Sequence, residues 1–190
     1  MRDRVSAARS SRSVGRVTCL TAATPLEYHS ISIERHSIES AHSVEDEMSA
    51  EQNAASFRRL IEVGFGKGDL GVVDEVVSLD CVERQRGLKG GRDGVKETIA
   101  TLRGWFSPFS LTVEDLAVDG DKVWGRCWAR GINTGSIMGR PATGLPMEID
   151  IIDIGRFEDG LLVEHWGVPD QLGMMSQIGL LPGRGPAPAR

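Results

Sequence analysis

The side chains able to move protons or bind metals are few and unevenly placed. Four histidines occur, His29, His36, His42 and His165, and only the last lies beyond residue 47. The spacing of the first three fits no metal motif. Three cysteines, Cys19, Cys81 and Cys127, show neither paired nor metal-like spacing, which argues against a disulfide scaffold or a zinc centre. No metal and no cofactor are expected. Imidazole chemistry therefore rests on His165. Asp153 and Asp170 flank it in sequence. A carboxylate beside an imidazole fixes its tautomer and raises its basicity, the arrangement used for general acid–base work.

The surrounding chain must place these groups. It has 190 residues, 40% hydrophobic and 26% charged, an ordinary soluble balance with room for one domain. A net charge of -5 disfavours nucleic acid as a partner. No run approaches the ~20 apolar residues of a membrane span, so a cytoplasmic protein is expected. Residues 1–47 hold six arginines, nine serines and one aromatic, with no sustained apolar period. Such a segment cannot bury enough area to offset its ordering entropy and reads as a disordered extension. An alternative is that it lies upstream of a true start at Met48. Residues 48–181 form the expected domain, and 182–190, rich in proline and glycine, a flexible tail.

Within the domain, Ser49-Ala50-Glu51-Gln52 has the capping-box pattern, and Ala54, Phe57, Leu60, Ile61 and Phe65 share a helical face. Gly66-Lys67-Gly68 ends that helix. Asp69 caps a short second one with Leu70, Val73 and Val77. Cys81 to Gly91 reads as irregular. Val95, Ile99, Leu102 and Phe106 mark a third helix stopping near Ser107-Pro108. The period then switches to two, with a turn at Asp119-Gly120 and strands over Val123–Ile132, Met147–Phe157 and Leu161–Val168. A glycine- and proline-rich loop spans Asn133 to Pro146, and Pro169-Asp170 opens a last short helix. Helices followed by antiparallel strands imply an α+β fold.

The last hairpin fixes a geometry. A three-residue loop Glu158-Asp159-Gly160 with glycine at positive φ sets Phe157 opposite Leu161 and Asp153 opposite His165. Alternation then puts Asp153 on the face of Ile149, Ile151 and Phe157, and His165 with Leu161 and Val163. A two-residue Asp159-Gly160 turn would instead pair Asp153 with Trp166 and part the two groups. The pair reads either as a site or as a satisfied buried hydrogen bond.

Phe157-Glu158-Asp159-Gly160-Leu161-Leu162-Val163-Glu164-His165-Trp166, with Asp170 and Gln177-Ile178-Gly179, resembles the C-terminal signature of the SnoaL-like polyketide cyclase (ester cyclase) family. Gly131 to Gly135 with Gly139 to Gly144, and Gly66 to Leu70, are similar to its other segments. The resemblance covers about Glu51 to Leu181. It implies a cystatin-like cone of the nuclear-transport-factor-2 type, with a curved antiparallel sheet around N-terminal helices and an apolar pocket. It further implies an intramolecular aldol cyclisation of a hydrophobic polyketide-like substrate and a homodimer joined through the sheet's outer face.

The resemblance makes Asp170 the acid/base group and His165 the polarising or orienting donor. Asp170 equally suits a helix cap, worth roughly 1 kcal/mol. Arg84, Gln85, Asp153, Trp105 and Met147 are expected to bind substrate. Arg84 stands where the family commonly has a histidine, and arginine stays protonated and cannot be a general base. Trp124, Arg126, Trp128 and Arg130 form one large mixed face of their strand, suited to dimer contact. Alternatives are a non-catalytic binding or dimerisation module, a ketosteroid-isomerase-like enzyme, or an epoxide-hydrolase-like one; the last needs an aspartate–arginine–aspartate set, for which no clear spacing is seen.

Overall fold

The computed structural model describes residues 49–181. The expectations for residues 1–48 and 182–190 lie outside these. Helix α1 covers residues 49–67 and widens to a π-helical stretch at Leu60–Phe65. Its apolar stripe is buried, with Phe57, Leu60 and Ile61 at 3–5% exposure. Helix α2 (Gly71–Val76) follows a turn in which Asp69 Oδ1 accepts from the Gly71 N–H at 3.0 Å. Helix α3 (Gly91–Trp105) buries Val95 and Ile99.

Five strands form one sheet in the order β1-β5-β4-β3-β2: β1 (Val77–Glu83), β2 (Phe106–Asp119), β3 (Lys122–Asn133), β4 (Pro146–Glu158) and β5 (Leu161–Pro169). Helix α4 (Gln171–Gln177) closes the order. The sheet is antiparallel except for β1, which runs parallel to β5. Strand β1 corrects the reading of Val77 as helical and of Cys81 onward as irregular. Phe106, taken as the end of a helix, instead begins β2 and is 1% exposed.

The sheet's inner face packs on the helices. On β3 the small residues Val123, Gly125, Cys127 and Ala129 are buried. Gly125 leaves the space taken by the Phe57 ring, which a Cβ there would strike at 2.5 Å. Bulk therefore comes from α1, and the strand stays thin beneath it. On the outer face, Trp124 and Ile152 are exposed, and Arg126 bridges Asp115 and Asp150.

The β4–β5 hairpin departs from the expected register. Glu158 pairs with Leu161, so the loop is the two-residue Asp159-Gly160 turn, with φ of 50° and 74°. Positive φ at both central residues defines the type I′ turn that matches strand twist. A bulge then places Val163 as an extra residue, since Phe157 pairs with Leu162 but Arg156 with Glu164. Asp153 lies opposite Gly167 and His165 opposite Gly155. The bulge restores what the shorter turn would have reversed, and both polar groups face inward. Leu162, rather than Leu161 or Val163, is the buried β5 residue beside them.

Candidate active site

Three adjacent strands meet at His165. In the parallel register Glu83 on β1 is level with His165 on β5. Across the antiparallel seam, Asp153 on β4 is one diagonal step away. His165 Nδ1 lies 2.8 Å from Glu83 Oε2, and Nε2 lies 3.2 Å from Asp153 Oδ1. The Glu83 and Asp153 side chains are 7% and 8% exposed, and the imidazole 20%. Glu83 Oε1 also accepts the Gln85 N–H at 2.7 Å, which ties the acid to the start of the next loop.

Burial alone pushes an imidazole toward its neutral form. Here the hydrogen bonds and charges of Asp153 and Glu83 outweigh that effect, and the His165 pKa rises from 6.5 to about 9. The ring is therefore an imidazolium at neutral pH, donating one N–H to each carboxylate. Gly167 makes this cluster possible. A Cβ there would run into Gln85 Oε1 and lie 3.0 Å from Asp153 Oδ1. Beneath Asp153, Cys127 is buried, and desolvation with the neighbouring carboxylate pushes its thiol pKa up, keeping it a neutral packing group.

The cluster forms part of the wall of a cavity of about 310 Å³. The remaining wall is largely apolar, including Phe57, Leu60, Ile61, Phe106, Leu111 and Ile149. Gln85, Asp153, Trp105 and Met147 are among the residues that line it. Trp105 is anchored through its carbonyl, which accepts from Asn133 Nδ2 at 3.1 Å.

Two expected site residues are elsewhere. Asp170 does not line the cavity; it is exposed and caps α4, Oδ1 accepting the Gly173 N–H at 2.8 Å. The residues it supports, Gln171 and Met174, do line the cavity, so Asp170 bears on the site through the helix. Arg84 is also outside. Alternation along β1 turns Glu83 inward and Arg84 outward, where its Nε meets Glu164 Oε1 at 2.7 Å. Glu83 is the residue missed by sequence reading. The available signal was the carboxylate beside Arg84, one step along a strand.

Among the described residues no group of three or more histidine, cysteine or acidic side chains could hold a metal ion, and no helix is long and apolar enough to cross a membrane.

The described residues form an α+β fold whose curved sheet and helices enclose an apolar cavity with a titratable cluster in its wall. Residues 55–178 match the family model of the SnoaL-like polyketide cyclases, and the chain belongs to that family. Among solved structures, the chain is similar to TsrD from Streptomyces laurentii, with 31% identity, TM-score 0.62, and coverage of 72% of this chain and 98% of that one. It is likewise similar to IdmH from Streptomyces antibioticus, a candidate polyketide cyclase, with 30% identity, TM-score 0.61, and coverage of 67% and 99%. A candidate SnoaL-like polyketide cyclase from Jannaschia sp. CCS1, at 23% identity and TM-score 0.63 over 70% and 95% of the two chains, shares the fold. No curated protein matches.

Proposed function

We propose that the chain catalyses an acid–base ring closure, of intramolecular aldol type, on a hydrophobic polyketide-like carbonyl compound. The observation that carries this reading is the His165 imidazole held between two buried carboxylates in the wall of an apolar cavity. Asp153 takes a proton from the carbon α to a carbonyl. The resulting enolate attacks a second carbonyl of the same molecule, forming the C–C bond. His165 delivers its Nε2 proton to the new alkoxide and is reprotonated from Asp153, so the protons balance and no external acid is consumed. Glu83 keeps the ring charged and oriented, and Asp170 serves as the α4 cap. This places the base at Asp153 instead of Asp170. Arg84, which stands where the family commonly has a histidine, pairs outward with Glu164 and has no part in the proposed step.

The first half-reaction can be followed without the natural substrate. Exchange of the α-protons of 1-tetralone in D₂O, read by NMR, should run faster with the protein than in buffer. Asp153→Asn should lower the enzymatic rate by about 10²–10⁴-fold, the usual worth of a positioned general base. An equal rate in the variant would sink the assignment.

A homodimer through the outer sheet face is part of the same proposal. Trp124, Ile152 and Val168, at 45%, 43% and 68% exposure, lie on adjacent strands there. Trp124→Glu should convert a dimer to a monomer in light scattering; a wild-type chain already monomeric would overturn this.

A further inference from the structure

Four charged side chains line the cavity: Glu83, Arg86, Asp153 and His165. Three are joined to one another. Arg86 has no hydrogen bond or ion pair among the described residues, whereas Arg84, two positions earlier, is held by Glu164. Arg86 sits in the turn Gln85–Leu88, where the Leu88 N–H reaches the Gln85 carbonyl at 3.4 Å and Gly87 takes a φ of 88°. That φ is the one a type II turn demands of its third residue, with Arg86 as the second. Of all the residues lining the cavity, only Arg86, Gly87 and Gln171 are exposed, so these three mark its opening.

The charge distribution divides the cavity. Two carboxylates around one imidazolium leave the inner polar wall with a net charge of −1. An anionic group pressed against that wall would be desolvated and repelled. At the opening, the Arg86 guanidinium, with no hydrogen bond or ion pair among the described residues, is exposed, and Gln171 is the other exposed side chain of the lining. Guanidinium and carboxylate match in planar two-point geometry. We propose that Arg86 selects ligands bearing a carboxylate, which it holds at the cavity opening while the apolar body fills the interior. This rests on reading the cavity as the substrate site, and it adds the substrate class: a hydrophobic carbonyl compound with a free acid at one end.

The test compares two probes of one shape, 1-naphthylacetate and 1-naphthylacetamide, by isothermal titration of the full chain. The acid should bind about tenfold tighter than the amide, the scale of one charge-assisted contact. Arg86→Gln should erase that preference by weakening the acid and leaving the amide unchanged, and Arg86→Lys should keep part of it. Equal affinities in the wild type, a preference surviving in Arg86→Gln, or no saturable binding of the acid would each overturn the proposal. Asp153→Asn should retain the acid preference. Loss of tetralone exchange in Asp153→Asn with no acid preference anywhere sinks the Arg86 proposal alone. Unchanged exchange with an intact preference sinks the acid–base reading alone.

Discussion

The seam between β1 and β5 carries two ion pairs, one on each face of the sheet, built from consecutive residues. Inside, Glu83 meets His165; outside, Arg84 meets Glu164. The polarity is reversed across the seam: the acid comes from β1 inside and from β5 outside. The outer pair is half in water, with Arg84 54% exposed, and Glu164 is shared with Arg156 at 3.1 Å. Those two guanidinium groups hold the Glu164 carboxyl below its usual range. The inner pair is the more buried of the two, with His165 and Glu83 at 20% and 7% exposure, and there the same kind of contact resets the charge state of a titratable ring. Location, more than the identity of the partners, separates a surface contact from a candidate reaction centre.

Four measurements press on that contrast. The largest effect is in stability against pH. His165 has its pKa raised from 6.5 to about 9, so its contribution is complete below pH 6.5 and is lost as pH climbs toward 9. Denaturant unfolding across that interval should show the fold losing on the order of 3 kcal/mol, and a flat profile would mean the inner pair is no stronger than the outer. Next, Glu83→Gln should move the alkaline limb of tetralone exchange down by about one to three pH units, as removal of a close carboxylate does, with the fold retained. A limb that stays in place would assign the charge of His165 to Asp153 alone. Asp170→Ala should cost about 1 kcal/mol in unfolding and leave exchange at pH 7 nearly unchanged, the behaviour of a cap. A drop as large as that of Asp153→Asn would return the base to Asp170. Finally, Arg84→Gln should shift stability by about 0–1 kcal/mol and leave the pH limb where it was.

The inward face of Asp153 could be read from the alternation of Met147, Ile149, Ile151 and Phe157 along β4, but the hairpin register could not: the turn is one residue shorter than the loop expected, and His165 regains the inner face only through the bulge at Val163, which no local pattern announces. The helices could be read because Phe57, Leu60 and Ile61, and Val95 and Ile99, recur at helical spacing. Strand β1 could not. Its Ser78-Leu79-Asp80 centre has no two-residue rhythm, and Leu79 is 75% exposed. It is an edge strand held by a parallel partner more than 80 residues away, and nothing local announces that pairing. Glu83 vanished from view with it, and Arg84 gained a site position that strand alternation denies. Asp170 was ambiguous for a different reason: a capping aspartate and a catalytic one obey the same local pattern.

The bulge at Val163 has a consequence for how this hairpin can change. Every residue added to or removed from a strand switches odd positions with even ones. The short turn makes one such switch relative to a three-residue loop, and Val163 makes the second, so parity is conserved. Loop length and the inward aim of His165 are thus uncoupled, provided changes come in twos. Deleting Val163 would only remove the bulge and leave Gly155 opposite His165; the costly change is to iron the bulge out with every residue kept, which would set Trp166 opposite Asp153, carry Trp166 into the cavity and His165 out to the solvent side, and erase the cluster without altering any of its members.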